Sequence, residues 1–379
     1  MLFASLPGLK STKAQLIHSA KSGKIPHAQL FQGNEGALNL PLALAYTTYL
    51  HCEAKGDGDS CGTCPACSKS LKFVHPDTNF VFPYGNLEGD KDKDDDRRKA
   101  ERLKTWRSFL LEQPFGNLSD WINYYGGEKK QVNISKDESR EIIKSLSLKA
   151  FESRYKVMII WLPEYMHPSA ANGILKILEE PPPHTVFLLV TNDPEQLLPT
   201  IVSRTQSLQV PMLSDEALDD YLLKTQTLDE GRRKRIVQLA EGNLPLALAL
   251  MQTGEDHNQE VFAEWMRACF EKDYIKLVGL SEDFHELDKL SQRNLLHYSL
   301  AMMREVLLQL AGATEINRTK DGELKFIQDF SRSMSIAKIE KASRWLNDAG
   351  FFLERNGSAK MIFLDLSLQI AKIINPPHP

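Results

Sequence analysis

The stretch FQGNEGALNLPLALAY at residues 31–46 has the spacing of a phosphate-binding loop without the side chains that hold a nucleotide. In the working motif, G-x-x-x-x-G-K-[ST], backbone N–H groups and a helix N-terminus hold the phosphates, while lysine and a hydroxyl supply charge and a Mg²⁺ ligand. Here Gly33 is the first glycine, but Leu38, Asn39 and Leu40 replace the second glycine, the lysine and the hydroxyl. The loop therefore offers neither a cation nor a metal ligand. An ordinary strand, turn and helix that never bound a nucleotide explains the same residues.

The carboxylates that such a site needs are missing as well. A nucleotide-hydrolysing site of this kind places one carboxylate on Mg²⁺ and one near the attacking water, at the end of a buried strand. KVMIIW at 156–161 is a continuous apolar run typical of a central parallel strand, and it ends in Trp161 and Leu162. Neither residue binds a metal or accepts a proton. Glu164 follows two positions late, after Pro163, and is an alternative as a displaced catalytic acid.

Four cysteines cluster in HCEAKGDGDSCGTCPACSKS at residues 51–70, namely Cys52, Cys61, Cys64 and Cys67. Two overlapping C-x-x-C pairs in a reducing compartment favour a closed tetrahedral zinc site with a structural role. A disulfide pair, or free thiols packed as small apolar groups, would be the alternatives. His51 and His75 are nearby, but four cysteines leave no vacant ligand position. Cys269 stands alone and is expected to pack in a core.

Composition places the chain among ordinary cytoplasmic globular proteins. It has 379 residues, of which 42% are hydrophobic and 25% charged, and a length of about 150 residues per domain suggests two or three domains. The first residues, MLFASLPGLKSTKAQ, fit neither a signal peptide nor a transmembrane span. With a formal charge of −4, the surface as a whole does not favour nucleic acid.

Strand and helix patterns alternate over the first part of the chain, which predicts an α/β domain with a parallel sheet at 1–212. Strands are expected at 27–32, 75–83, 156–161 and 185–192, with helices at 38–51, 136–150 and 169–180. The charged run GNLEGDKDKDDDRRKAERLK at 85–104 is expected to be a solvated, partly disordered loop rather than a specific binding segment.

Strand patterns disappear after this domain, and the remainder is predicted to be all-α. Residues 213–257 have the length of a small helical lid, punctuated by EGNLP at 241–245. From 258 to 379, apolar residues recur at three- and four-residue spacing, which is typical of helices packed in a core or a subunit interface.

Several strings in the sequence resemble the clamp-loader branch of the AAA+ family. They are HAQLFQGNEG at 27–36, the Cys₄ insertion, HPD at 75–77, AANGILKILEEPPPHTVFLLVTNDPEQLLPTIVSRTQS at 170–207 and AEGNLPLALAL at 240–250. The resemblance covers residues 1–255 clearly and the C-terminal helices weakly. It implies an AAA+ sheet domain of the P-loop type with a zinc module, a helical lid and a C-terminal collar of packed helices.

Within that family the chain resembles the subunits whose ATP site is degenerate. Active gamma/tau-like subunits are expected to carry lysine at position 39, an acidic pair at 161 and 162 and an arginine near 245, whereas this chain has Asn39, Trp161, Leu162 and Pro245. The resemblance therefore implies a protein that is not itself an ATPase. Gly33 and Gly36 remain as turn residues, and Thr191 and Asn192, where the family keeps a phosphate-sensing residue, are expected to pack at a strand end.

One functional motif of the family is retained. Relatives carry Ser-Arg-Cys where this chain has Ser203, Arg204 and Thr205. In the family this arginine crosses a subunit interface to the γ-phosphate held by its neighbour, where a guanidinium stabilises the transferring phosphoryl group. Taken alone, an arginine after a strand is usually a surface residue in an ordinary ion pair. The resemblance implies that Arg204 acts as an arginine finger in trans.

The resemblance also implies the partners: gamma/tau-like and delta-like clamp-loader subunits and, through the complex, the sliding clamp and primer-template DNA. Two other functions remain open at this point. One is an active clamp-loader ATPase with an atypical site. The other is a DNA-binding zinc protein acting alone, but the acidic EAKGDGDS loop at 53–60 and the net charge do not support it.

Overall fold

The computed structural model describes residues 1–85, 94–127, 130–147, 149–252, 255–313, 321–354 and 357–374. These residues form two compact units. The first contains residues 1–233 and 241–245, and the second contains residues 234–240 and 246–379. Among the described residues, no helix is both long enough and apolar enough to cross a membrane.

A five-stranded parallel sheet forms the centre of the first unit. Its strands are β1 (Ala28–Gln32), β2 (Thr78–Val81), β3 (Lys156–Trp161), β4 (Thr185–Thr191) and β5 (Gln206–Gln209), in the order β2-β3-β4-β1-β5. The register pairs Gln32 with Thr191 and Trp161 with Val190. The carboxyl ends of β1, β3 and β4 therefore meet along one edge, which is where open α/β sheets bind ligands.

The helices up to residue 252 are α1 (Lys10–Lys21), α2 (Asn39–His51), α3 (Pro65–Leu71), α4 (Asp95–Glu112), α5 (Leu118–Tyr125), α6 (Lys136–Ser147), α7 (Pro168–Glu179), α8 (Pro199–Val202), α9 (Asp215–Thr225), α10 (Glu230–Ala240) and α11 (Leu244–Gln252). Alternate residues of the strands face opposite sides of the sheet. Leu30 lies in a buried cluster with Ile142 of α6 and Ile174 of α7, whereas the Phe31 ring lies 6.4 Å from Tyr46 of α2. The sheet is thus covered on both faces, as its apolar strands require.

A buried carboxylate supports the loop that leads into β3 and explains the HPD string. Asp77 is 1% exposed, and it accepts backbone N–H hydrogen bonds from Phe151 (2.5 Å), Glu152 (2.9 Å) and Ser153 (2.8 Å). Burial acts to raise the pKa of Asp77, but these three N–H donors outweigh it and leave the pKa below its usual value. Asp77 is therefore a structural residue that fixes the loop leading into β3.

The second unit is built from helices, which include α12 (Glu255–Glu271), α13 (Tyr274–Glu286), α14 (Lys289–Leu310), α15 (Asp321–Ser331), α16 (Ile336–Glu354) and α17 (Ala359–Ile374). Their core contains Trp265, Phe284 and Phe363, and the Trp265 indole N–H donates to the Ser367 hydroxyl over 2.8 Å. Cys269 is fully buried in the same core, as expected from the sequence.

The predicted fold class, an α/β region with a parallel sheet followed by helices, is confirmed. The predicted loop at 85–104 is wrong over its second half, because α4 begins at Asp95; residues 86–93 lie outside the described residues. The physical reason is the buried side of α4, where Trp106 and Phe109 pack against Trp121 of α5. The three domain boundaries, 1–212, 213–257 and 258–379, stay a prediction.

Candidate functional site

The loop between β1 and α2 is closed by the side chain that replaces the lysine of the motif. Asn39 is the first residue of α2 and is 2% exposed. Its amide nitrogen lies 3.0 Å from the carbonyl oxygen of Gly33, 3.0 Å from that of Thr191 and 3.1 Å from the side-chain oxygen of Asn192. A side-chain amide has only two N–H donors, so both are used inside the protein. The position of the motif's lysine therefore serves to tie the loop to the end of β4.

Neighbouring groups fill the space around the two loop glycines. A Cβ atom on Gly33 would lie 2.4 Å from the Val210 carbonyl oxygen, and one on Gly36 would lie 2.2 Å from the side chain of Asn243. Gly36 also has φ +89°, a conformation that L-residues rarely adopt. The amide of Asn117 donates to the Glu35 carboxylate over 2.8 Å. Neighbouring groups thus approach both loop glycines closely, and one of the loop's own residues, the exposed Glu35, is an anion.

Glu164 lies against the end of β4. One carboxylate oxygen accepts from the Thr191 hydroxyl over 2.8 Å and the other from the Asn192 backbone N–H over 3.0 Å. Burial raises the pKa of Glu164, and these hydrogen bonds oppose part of that rise. Glu164, Thr191 and Asn192 form one polar network with Asn39 at the carboxyl end of β4. Thr191 and Asn192 are therefore hydrogen-bonding members of this network and not only packing residues.

Apolar side chains occupy the end of β3, where a hydrolytic site needs carboxylates. Trp161 is 4% exposed, and its ring lies 5.0 Å from that of Trp106 in α4. Leu162 is buried, and its backbone N–H donates to the Val190 carbonyl oxygen over 2.7 Å. The side chains of both residues are used for packing. This end of the sheet therefore presents no metal ligand from positions 161 and 162.

Arg204 lies on the surface between α8 and β5, and its described partners belong to its own subunit. One terminal nitrogen lies 3.3 Å from a carboxylate oxygen of Glu179, the last residue of α7. The other donates to the Thr200 carbonyl oxygen over 3.1 Å and to the Ser203 hydroxyl over 3.4 Å. The side chain is 31% exposed. The sequence singled out Arg204 and Ser203 but gave no indication that Glu179 would hold the guanidinium.

The four clustered cysteines converge as a ligand set. All four sulfur atoms lie within 4.8 Å of one another, and the structure brings together Cys52, Cys61, Cys64 and Cys67. The Sγ atoms of Cys52 and Cys61 are 3.6 Å apart, and those of Cys61 and Cys67 are 3.9 Å apart. A tetrahedral ion with Zn–S bonds of about 2.3 Å separates its sulfur ligands by about 3.8 Å. A disulfide would need about 2.05 Å, so this geometry fits a metal ion better.

The surroundings of the sulfur atoms also suit a cation. Backbone N–H groups of Cys61, Cys64 and Cys67 point at sulfur atoms over 3.3–3.4 Å. N–H donation, with the N–H groups of Thr63 and Cys64 contributing most, lowers the pKa of the Cys61 thiol to about 6, whereas burial raises the pKa of Cys52 and Cys67. A divalent ion would offset the burial cost of the latter two thiolates. The cluster could therefore hold a metal ion, and zinc is compatible with it.

A family model described as DNA polymerase III, delta subunit matches residues 8–214, which is more than half of the chain. The chain belongs to this family. It is similar to the DNA polymerase III subunit delta′ of Bacillus subtilis, with 27% identity over 209 residues, 55% of this chain and 49% of that protein. The same subunit of Escherichia coli is 26% identical over 246 residues, 65% of this chain and 60% of that protein.

The chain is also similar to DNA polymerase III subunits with other names. The tau/gamma subunit of Haemophilus influenzae is 22% identical over 291 residues, which cover 76% of this chain and 34% of that protein. The chain spans about half to three fifths of the length of the two delta′ relatives. The resemblance inferred from the sequence is thus confirmed at the level of the DNA polymerase III delta family.

Proposed function

We propose that this chain is a non-hydrolysing AAA+ subunit of the replicative clamp loader, similar to delta′, which supplies Arg204 in trans to ATP held by a neighbouring subunit. The observation that carries the proposal is the amide of Asn39, which closes the phosphate loop onto Gly33 and Thr191. With its amide nitrogen bonded inside the protein, position 39 offers neither a free N–H donor nor a cation to a phosphate.

The charges around the loop support the absence of turnover. Triphosphate carries several negative charges, and phosphoryl transfer depends on cations that neutralise them. Position 39 contributes a neutral amide, Glu35 adds a carboxylate, and Trp161 contributes no ligand for Mg²⁺. Each change acts against binding the metal-nucleotide complex, and we expect the isolated chain to hydrolyse no ATP.

The surroundings of Arg204 support a function outside its own subunit. Its ion pair with Glu179 is solvent-exposed, and such pairs contribute about 0.2–1 kcal/mol. Releasing the guanidinium from Glu179 therefore costs little. An arginine finger at a triphosphate can raise the hydrolysis rate by about 10³–10⁵-fold, which is equivalent to roughly 4–7 kcal/mol. The energetic balance permits Arg204 to leave Glu179 for a neighbour's γ-phosphate.

The cysteine cluster supports a structural zinc site in this proposal. When bound, Zn²⁺ would supply four bonds that hold Cys52 at the end of α2 to the turn and helix that carry Cys61, Cys64 and Cys67. Asp59 in the intervening loop accepts from the backbone N–H groups of Phe3 and Ala4 over 3.1 and 2.7 Å. The module would thus fix this side of the sheet domain without taking part in chemistry.

Similarity to clamp-loader subunits supports a proposal for the partners. We propose gamma/tau-like and delta-like subunits as direct partners, the sliding clamp and primer-template DNA as partners through the complex, and the cytoplasm as the location. The second candidate function is an active gamma/tau-like ATPase with an atypical site. Similarity to the tau/gamma subunit over 76% of this chain favours it, whereas Asn39, Trp161 and Leu162 oppose it.

Mixing the purified chain with gamma/tau-like and delta-like subunits tests the assembly directly. We expect native mass spectrometry to show one complex that contains all three kinds of chain, because an arginine finger acts only across a direct interface with a subunit that binds ATP. The chain alone and each pair serve as controls. Failure of this chain to enter any complex with either partner would contradict the proposed assembly.

A further inference from the structure

The ion pair between Glu179 and Arg204 could determine when the arginine is available to a neighbouring subunit. We propose that Glu179 is a positioning residue that holds Arg204 against its own subunit and competes with a neighbour's triphosphate for the guanidinium. This inference rests on the function proposed above for Arg204.

The hydrogen bonds of Arg204 show that both terminal nitrogens of the guanidinium already contact groups of its own subunit. Guanidinium has five N–H donors in a rigid fork, and a finger presents its terminal nitrogens to phosphate oxygens. Here one terminal nitrogen faces Glu179, the other faces the Thr200 carbonyl oxygen and the Ser203 hydroxyl, and Nε is buried without a hydrogen-bond partner among the described residues. Three of the five N–H donors are therefore used within the subunit, and turning the terminal nitrogens toward a neighbour's phosphate breaks these contacts. The arrangement seen in the free chain is a resting one.

The position of Glu179 suits a residue that binds Arg204 reversibly. It is the last residue of α7, and its side chain is 60% exposed. The C-terminal end of a helix carries partial negative charge, which disfavours a carboxylate unless a cation lies beside it. Pro181, Pro182 and Pro183 follow and prevent the helix from continuing. The backbone therefore places Glu179 beside Arg204, and the contact between the two side chains remains exposed to solvent.

Two effects of the Glu179 charge act in the same direction. The carboxylate stabilises the resting position of Arg204, and it repels a triphosphate that approaches the same guanidinium. Both effects disappear when the charge is removed. An exposed ion pair of this kind changes the ratio of resting to engaged Arg204 by about fivefold at most. Neutralising Glu179 should therefore favour the engaged arginine by a factor of that size.

The test uses the complete reconstituted complex and steady-state ATP hydrolysis. We expect Glu179→Gln to raise the Arg204-dependent part of kcat/KM by about two- to fivefold. The matched control is Glu180→Gln, which removes the same charge from the next, exposed residue and should leave kcat/KM unchanged. The double variant Glu179→Gln with Arg204→Ala should behave like Arg204→Ala alone, since the gain depends on the arginine.

The outcomes separate this inference from the proposed function. A rise in Glu179→Gln that disappears in the double variant supports the competition. An unchanged or lower kcat/KM in Glu179→Gln, with a clear loss in Arg204→Ala, overturns the role of Glu179 and leaves the arginine finger intact. If Arg204→Ala itself has no effect, the proposed function fails and the inference fails with it. Circular dichroism of each variant verifies that the chain is folded.

Discussion

Replacing Arg204 by alanine should leave the clamp-loader complex assembled and slow ATP hydrolysis at one of its sites by about 10³-fold or more. The reason is that the guanidinium would act only on charge that develops in the transition state, and nothing in its described contacts holds the fold together. Its own partners are Glu179, Thr200 and Ser203, at the surface of the first unit. The loss should therefore appear in kcat rather than in stability.

Single-turnover hydrolysis measures the site that Arg204 contacts. The other ATP sites are disabled by replacing the lysine of their phosphate loops. Arg204→Lys tests whether a point charge can replace the planar fork, and we expect most of the loss to remain. Arg140→Ala is the matched control, because Arg140 is another exposed arginine in an ion pair, 2.9 Å from Asp137. A complex that no longer assembles with Arg204→Ala would make the arginine structural and would contradict the mechanism.

Replacing Cys67 by serine should remove the metal and lower the stability of the chain substantially. Purified wild-type protein is expected to contain about one zinc ion per chain, because the four sulfur atoms have the separations of a tetrahedral site. A ligand present at 1,000 times its Kd stabilises the fold by about 4 kcal/mol. At about 2–4 °C per kcal/mol, loss of the ion would lower Tm by about 8–16 °C.

Metal analysis and thermal unfolding of the same samples provide the measurement. Cys269→Ala is the matched control, since Cys269 is a buried cysteine outside the cluster whose sulfur lies 3.6 Å from the Ser367 carbonyl oxygen. It should retain one zinc ion per chain even if its core packing weakens. Wild-type protein without zinc, or a Cys67→Ser variant with unchanged metal content, would reject the zinc site.

Continuous apolar runs were sufficient to predict the central strands. KVMIIW became β3 and TVFLLVTN became β4, because strands buried on both faces contain little else. The helix α4 was missed since its first turns, DDRRKAER, are all charged or small, and its apolar residues begin at Leu103. The spacing of Leu103, Trp106 and Leu110 was the signal that could have identified it.

Closure of the phosphate loop could not be predicted from the sequence, although the absence of the lysine could. Asn39 bonds to Thr191, which is 152 residues away, and Asn117 reaches Glu35 across 82 residues. Such contacts depend on strand order and on the placement of the segment between β2 and β3 that carries α4 and α5. The sequence identified which chemistry is missing, whereas the structure identifies the groups that replaced it.

The same limit applies to Arg204. Its motif was visible in the sequence, but its partner Glu179 lies 25 residues earlier, at the end of α7. The prolines that follow α7 predict where the helix ends only to within a few residues. Side-chain partners of exposed residues depend on the placement of whole elements. Sequence patterns predict elements more readily than they predict these pairs.

Equilibrium binding and turnover of ATP with Mg²⁺ by the isolated chain is the most direct test of the central claim. With Asn39 bonded inside the loop and no carboxylate at positions 161 and 162, we predict no Mg²⁺-dependent binding and no hydrolysis above background. An Asn39→Ala variant measured in parallel identifies contaminating ATPase, which would be equal in both samples. Saturable Mg²⁺-dependent binding with turnover that changes in Asn39→Ala would contradict the account.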